Sequence, residues 1–465
     1  MWLAQIILFW VVAGFIGNEL KNHINNLSST TFILASIFST SLFLIILKPL
    51  ATFTTSLIKN RKIWIQASSG LMLILAIMVL TLKLPLWALI IVSLIFSLCL
   101  ASSTLFYLFL NEQSFYRIYV MPSVWITFVF ITFSTTFGIY LSNLNIVVWE
   151  NATSSKMSLM VIMILLALGS IALSIFIKEN KNMVQVFDQE ILEALPKKNN
   201  AVFCLIYLLG FLLTVTSAIS NSLFMKMYLT LNLSDLNFEN DVIKTWLRIN
   251  DFAYLIPSIF ASVISYKLLR KIFEQKYLIF INMFVLFAAY TAMAFVQNPF
   301  VFIILNLIAG ICFNQIIYSL FSVCLFWNYR AKKNPVTGYY GSAMFLAYFS
   351  VEAIQNTLSS LKIGIFKEFS NIDELLAFKN NSSDISGIVE SFDNITTLIM
   401  SISCVVVLAS ILIFYFMSHK IFADYTNYKF ATQNLKVLIK KRVISKTKTK
   451  FNVESIEEKG NDLDE

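Results

Sequence analysis

Two charged side chains stand deep inside long apolar stretches of the sequence. Lys48 lies eleven residues before the basic residue Lys59, and Glu352 lies within the segment Phe349–Gln355. In a helix that rises 1.5 Å per residue, Lys48 is about 16 Å from Lys59. A charged side chain at bilayer depth costs about 2.5–3.5 kcal/mol even on lenient scales, so we expect each one to have an ion-pair partner or a function. The ammonium group could contact an anionic solute or a gate, or it could only hold helices together through an ion pair.

A second pair of charges, Arg248 and Asp251, lies near the outer end of another apolar stretch. Side chains three residues apart are neighbours on one face of a helix, so we expect a local salt bridge between them. The alternative is that this pair belongs to an outer gate or takes part in ion coupling.

Uncharged polar side chains also lie deep in apolar stretches. Asn221, Asn314 and Gln315 are examples, and each could bind a solute. The equally weighted alternative is hydrogen bonding between neighbouring helices, which contributes about 0.6 kcal/mol per pair.

Motifs of enzyme chemistry are missing from the sequence. It contains no Gly-rich phosphate-binding loop and no nucleophile motif. The two histidines, His23 and His419, are far apart, and the five cysteines lack metal-ligand spacing. We therefore expect no enzyme activity, no metal, no cofactor and no nucleic-acid partner.

The composition places these side chains in a membrane. Of 465 residues, 58% are hydrophobic and 13% are charged, whereas soluble domains are usually about 25% charged. Apolar runs of about 20 residues can cross a bilayer as helices, and they lack the alternation of a β-barrel strand. The sequence predicts an all-α integral membrane protein with about twelve transmembrane helices. The predicted spans are residues 2–18, 30–57, 65–82, 86–110, 118–141, 157–177, 201–225, 243–266, 277–296, 299–327, 337–360 and 394–418.

Positive charges are concentrated in alternate loops. The basic clusters follow the even-numbered helices, including Arg61 and Lys62 after the second helix and Arg270 and Lys271 after the eighth. Because positively charged loops stay in the cytoplasm, we expect a multi-pass protein of the cell membrane with both termini in the cytoplasm.

The two halves of the sequence are similar. Pro49 in the second helix and Pro257 in the eighth lie 208 residues apart, and a basic cluster follows each. Such a repeat predicts two pseudo-symmetric six-helix bundles. We expect an N-terminal bundle at residues 1–178, a cytoplasmic central loop at 179–200, a C-terminal bundle at 201–418 and a charged cytoplasmic tail at 419–465.

With this topology and these basic clusters, the sequence resembles a divergent member of the major facilitator superfamily. Only the basic end of that family's loop signature is present, because Leu57 and Tyr266 stand at its two aspartate positions. The resemblance implies a central cavity lined by helices one, four, seven and ten, which makes Asn221 on the seventh helix and Asn314 and Gln315 on the tenth candidates for binding a solute. It also implies that helices two and eleven face each other, so we expect Lys48 and Glu352 to approach each other in one transport state.

The resemblance implies a secondary active transporter that moves a small polar solute by alternating access. Lys48 favours an anionic solute and Glu352 favours coupling to protons. The expected partners are the solute, coupled protons and the lipid bilayer, and we expect a monomer. Two alternatives stay open: a transporter-like fold acting as a receptor or assembly partner, and a polytopic membrane enzyme acting on a lipid-linked substrate.

Overall fold

The computed structural model describes residues 1–27, 29–57, 62–114, 120–143, 152–177, 200–330, 336–367, 369–381 and 387–421. Every regular element among these residues is a helix. Arg61, nearly all of the predicted central loop and most of the predicted tail lie outside the described residues.

Eight helices are described in the N-terminal half. Their bounds are α1 Trp2–Asn25, α2 Ser29–Ile37, α3 Thr40–Leu57, α4 Lys62–Thr81, α5 Leu86–Ala101, α6 Ser103–Ser114, α7 Val120–Asn143 and α8 Ala152–Phe176.

Eight further α-helices are described in the C-terminal half, with a short 3₁₀ helix at Gly364–Lys367. Their bounds are α9 Asn200–Ser220, α10 Leu223–Asp235, α11 Asn240–Leu269, α12 Gln275–Phe295, α13 Pro299–Arg330, α14 Val336–Ser360, α15 Ile372–Asn381 and α16 Gly387–Ile421.

The described helices make twelve membrane crossings, as the sequence predicts. Eleven segments, counting α2–α3, α5–α6 and α9–α10 as single crossings, are long and apolar enough to span a bilayer. The twelfth is α14, a helix of 25 residues whose polar side chains, including Glu352 and Gln355, make it less apolar. The protein is therefore a multi-pass membrane protein with two six-helix bundles.

Three predicted crossings are interrupted, which sequence periodicity did not show. The second breaks between α2 and α3, the fourth at Ser102 and the seventh between α9 and α10. At the Ser102 break, the Cys99 carbonyl accepts from the Ser102 hydroxyl at 2.6 Å and from the Ser102 N–H at 3.2 Å, so a side chain adds to the backbone hydrogen bonding there.

The seventh crossing also extends further than predicted. We expected it to end near residue 225, but α10 continues to Asp235. Ser222 caps α10 by accepting from the backbone N–H of Met225 at 3.4 Å. Gln355 on α14 accepts from the N–H of Leu223 at 2.9 Å. The break is therefore held from within α10 and from a neighbouring helix.

The N-terminal bundle contains a very close helix crossing. A Cβ atom at Gly14 of α1 would lie 2.1 Å from the carbonyl oxygen of Thr135 on α7, and one at Gly138 would lie 2.0 Å from that of Val11. Only glycine allows the two backbones to approach so closely.

The loop before α16 folds against the C-terminal bundle. Lys244 on α11 forms a 2.9 Å salt bridge with Asp373 on α15. Asn371 Oδ1 accepts from the N–H of Glu374 at 2.8 Å, and the Glu374 carboxylate accepts from the N–H of Ser370 at 2.8 Å. Asn371 is thus the N-cap of α15, and the hydrogen bonds from Ser370 hold the pKa of Glu374 below its usual value.

Helices from the two halves meet along two seams. In one, α2 and α3 pack against α14, and in the other, α7 packs against α11 and α13. The second and eleventh crossings therefore face each other, as expected. Pro49 lies inside α3 and Pro257 inside α11, at matching places in the two halves.

We predict that Gly14→Ala lowers the stability of the protein, because its methyl group would overlap the Thr135 carbonyl and overpacking costs about 1–3 kcal/mol. Gly70→Ala, in α4 with no atom within 4 Å of the added carbon, is the matched control and should not destabilise. The measurement is the apparent melting temperature of each purified variant. Equal melting temperatures for the two variants would contradict the close crossing.

Candidate functional site

Aromatic side chains of the two halves pack against each other at one end of the interface. Trp125 on α7 lies 5.6 Å from Tyr266 on α11 and 5.8 Å from Tyr318 on α13, measured between ring centroids. Phe128 stacks on Tyr318 at 3.5 Å. We call these four residues the aromatic seal. It lies near the starts of α4 and α7 and the end of α11, and we call this end of the molecule the basic face.

The basic face carries the cationic residues that the sequence placed together. Lys62 donates to the carbonyl of Ile175 at 2.5 Å, which ties α4 to α8. Arg270 and Lys271 are exposed just after α11. Arg270 lies within hydrogen-bonding reach of Tyr266, a residue of the aromatic seal.

Glycines on α14 allow its backbone to contact the backbone of α3. A Cβ atom at Gly338 would lie 2.6 Å from the carbonyl oxygen of Lys48 and 2.7 Å from the Cα of Pro49. Farther along, the Ser342 hydroxyl donates to the carbonyl of Ile45. The two halves are therefore closely packed near the basic face.

Lys48 lies in this seam between three helices. Its Nζ donates to Ser103 Oγ on α6 at 2.8 Å and lies 5.0 Å from the ring centroid of Phe345 on α14. Gly341 leaves room for its aliphatic chain, since a Cβ there would lie 2.8 Å from Lys48 Cδ. No acidic side chain of the described residues forms a salt bridge with it. The ammonium group thus retains unused hydrogen-bond donors.

Glu352 occupies the same seam farther from the basic face. Its Oε2 accepts from Ser41 on α3 at 3.2 Å, the charge of Lys21 acts on it electrostatically, and its side chain is exposed. Ser41 lies seven residues before Lys48, so the two charges are about 10 Å apart along the seam. The structure places Lys48 and Glu352 on one seam but not in contact.

A polar network joins α9, α11 and α13 beside this seam. Asn306 Nδ2 donates to Asn250 Oδ1 at 3.1 Å and to Asn221 Oδ1 at 3.3 Å. We call these residues the asparagine triad. The hydroxyl groups of Ser217 and Tyr254 form a hydrogen bond one turn away. Asn221 is thus part of a cluster rather than an isolated polar residue.

Asn314 and Gln315 take different roles although they are neighbours in sequence. Asn314 Nδ2 donates to Ser258 Oγ at 3.3 Å and is 7% exposed. Gln315 is 2% exposed, its Oε1 accepts from Asn282 Nδ2 at 2.7 Å, and its amide also bonds to Ser265. Gln315 therefore joins helices within the C-terminal half, and its role in solute binding stays a prediction.

The partner of Asp251 differs from the expected one. Its Oδ2 lies 2.6 Å from Lys226 Nζ on α10, and among the described residues Arg248 forms no salt bridge with it. The prediction of a local Arg248–Asp251 pair was wrong. The break in the seventh crossing lets α10 bring Lys226 within reach of α11, which sequence spacing alone cannot show.

Sequence reasoning also missed several residues of this region. Asn250 and Tyr254 are one turn apart on α11, and Tyr348 lies one turn before the predicted residue Glu352 on α14. Tyr348 lies within hydrogen-bonding reach of Ser217. A spacing of four residues between polar groups in an apolar helix is the signal that identifies such faces.

We predict that Gly338→Ala opens the basic face, because the added carbon would meet backbone atoms of Lys48 and Pro49 that cannot move independently of α3. In a variant without the native cysteines, spin labels on Lys62 and Lys271 should report a longer distance between the halves.

Gly341→Ala is the matched comparison, and its effect should be smaller because the added carbon meets only the flexible Lys48 side chain. An unchanged distance in Gly338→Ala would show that this contact does not hold the basic face closed.

Neither a known family profile nor a curated protein sequence matches the chain, but solved structures do. A bacterial homologue of the iron transporter ferroportin, in an outward-facing state, is 12% identical, with a TM-score of 0.56 over 90% of this chain and 99% of that chain. The human organic anion transporter TETRAN is 12% identical, with a TM-score of 0.54 over 87% of this chain and 96% of that chain. The E. coli fucose:proton symporter is 13% identical, with a TM-score of 0.52 over 88% of this chain and 97% of that chain. The chain has the fold of the major facilitator superfamily, in a divergent sequence.

Proposed function

We propose that this protein is a secondary transporter that moves a small polar solute across the cell membrane by alternating access. The observation that carries the proposal is Lys48, an ammonium group in the seam between two packed halves, without an acidic partner among the described residues. A charge in such a place is costly unless it has a function. The solved transporters of this fold are consistent with it.

The solute that fits this site is an organic anion with further polar groups. Lys48 supplies the positive charge, and Ser103 fixes the direction of its donors. Asn221, Asn314 and Tyr254 carry neutral donors and acceptors in the C-terminal half. A carboxylate or phosphate would contact Lys48, while hydroxyl or amide groups would contact the C-terminal half.

Glu352 gives the seam a second charge that the transport cycle can use. A lysine and a glutamate side chain extended toward each other can cover the separation of about 10 Å along the seam. We propose that Lys48 pairs with Glu352 after the solute leaves, which removes the cost of an unpaired charge during the return step. Proton transport by Glu352, the orientation with the basic face in the cytoplasm, and the monomeric state stay predictions.

We predict that a thermal-shift screen of organic anions identifies ligands that stabilise the purified protein by mass action. Lys48→Gln should weaken binding of such a ligand at least about tenfold, equivalent to about 1.4 kcal/mol. Lys267→Gln, an exposed charge at the end of α11, is the matched control and should bind as the wild type does. Anion binding that is unchanged in Lys48→Gln would remove the basis for an anionic solute at this seam.

We predict that exchanging the two charges preserves their interaction. Lys48→Glu and Glu352→Lys should each disfavour the state in which the pair forms, because each leaves two like charges on the seam. The double variant should recover the wild-type distribution of distances between spin labels on Lys62 and Lys271. This measurement needs no solute, so loss of anion binding does not obscure it. A double variant no closer to wild type than the single variants would refute the pairing.

A further inference from the structure

The side chain of Lys48 runs along one face of α14, away from the basic face. A Cβ atom at Gly338 would meet the Lys48 carbonyl oxygen, and one at Gly341 would meet Lys48 Cδ. One turn farther along α14, the ring of Phe345 lies 5.0 Å from Lys48 Nζ, measured to its centroid. These three residues of α14 have the spacing i, i+3 and i+7, so they share one face of the helix. That face therefore follows Lys48 from its backbone to its charge.

The same face of α14 continues to Glu352, two turns or about 10 Å beyond Phe345. The Glu352 carboxylate accepts from Ser41 on α3 at 3.2 Å. Long side chains on a helix lean toward its N-terminus, so the ring leans toward Lys48 rather than toward Glu352. Along the helix, Phe345 therefore stands between the ammonium group and the carboxylate.

The face of an aromatic ring attracts a cation without neutralising it. A carboxylate in place of Phe345 would pair with the ammonium group of Lys48 and compete with an anionic solute for it. The ring instead offsets part of the cost of burying the charge and leaves the charge available. Ser103, which accepts from Nζ at 2.8 Å, is also neutral. These two neighbours thus fix the position of the ammonium group and leave it able to bind an anion.

Phe345 belongs to the C-terminal half, but its ring packs against residues of the N-terminal half. It lies beside an apolar cluster formed by Leu44 and Ala51 of α3 and Ala101 of α5, each at most 1% exposed. The ring keeps this position only while α3 and α14 are aligned, because it bridges two bodies that move relative to each other in alternating access. A rocking movement that separates the seam at Phe345 closes it farther from the basic face, where Glu352 lies.

We propose that Phe345 is a positioning residue for the ammonium group of Lys48. While the basic face is closed, the ring holds the ammonium group at the solute site. When the basic face opens, the ring leaves with α14 and the ammonium group pairs with Glu352. The contact between ring and ammonium group does not depend on transport, but its role in solute binding rests on the proposed function.

The test replaces Phe345 by trifluorophenylalanine in the purified full-length protein, without any solute. Fluorine withdraws electrons from the face of the ring and nearly keeps its shape, so it weakens the attraction to a cation. The apparent melting temperature should fall by about 1–2 °C more in the wild type than in a Lys48→Met background. Methionine keeps a long apolar chain without the charge, and effects of fluorine on packing alone are common to both backgrounds and cancel.

The matched control is the same replacement at Phe302 of α13. Phe302 is 1% exposed, its ring centroid lies 5.7 Å from that of Tyr228, and no cation of the described residues lies over it. Trifluorophenylalanine in place of Phe302 should change the melting temperature equally in the wild type and in Lys48→Met. An equal change in the two backgrounds for Phe345 as well would overturn the proposal, since its ring would then serve packing alone.

The transfer of the ammonium group to Glu352 has its own measurement. Glu352→Gln removes the carboxylate that could receive the ammonium group when the ring is weakened. The fall in melting temperature caused by fluorinating Phe345 should therefore be larger in Glu352→Gln than in the wild type, and an equal fall would overturn the transfer. None of these measurements contains an anion. Failure of the proposed function would appear separately, as a wild-type protein that no organic anion stabilises.

Discussion

The structure depends on one constraint: inside a bilayer, every backbone donor and acceptor must find its partner within the protein. Continuous helices meet this constraint alone, but interrupted helices need help from side chains. At the break in the seventh crossing, Gln355 on α14 accepts from the N–H of Leu223, and Ser222 caps the new helix. The break is therefore stable only while α14 stays beside α10. Since α14 also forms the seam with α3, a movement of that seam changes the support of the break.

The two seams hold the halves together in physically different ways. The aromatic seal joins rings of α7 to rings of α11 and α13, and separated rings can pack again in another arrangement. The contact at Gly338 joins backbone to backbone, so it exists only when α3 and α14 are correctly aligned. A combination of an adaptable contact and an all-or-none contact is suited to a two-state switch, because packed interfaces change between discrete arrangements. The charges of Lys48 and Glu352 lie within the all-or-none seam, where a small change in alignment alters which partner each can reach.

The sequence was sufficient for the number of crossings because the length of each apolar run reports directly on the thickness of the bilayer. It located the twelve crossings and the paired prolines Pro49 and Pro257, whereas the facing of the second and eleventh crossings was implied by the resemblance to a known family. It could not place side chains around each helix axis. Asn314 and Gln315 are adjacent, yet a rotation of about 100° per residue directs them to different neighbours, and only tertiary packing shows which. The partner of Asp251 was missed for a related reason, since the helix break that brings Lys226 near has no strong signal in a uniformly apolar sequence.

The position of the proposed anion site determines how a solute could act on the rest of the molecule. The site is centred on Lys48 in the α3–α14 seam, and α14 also carries Gln355, which accepts from the N–H of Leu223 at the break in the seventh crossing. A solute that favours one alignment of α14 would therefore also change the support of that break. Such coupling is reciprocal, so an arrangement of α9 and α10 that strengthens the Gln355–Leu223 hydrogen bond would favour the same alignment of α14 and raise the affinity for the solute. The seam and the break would thus respond to each other through one helix.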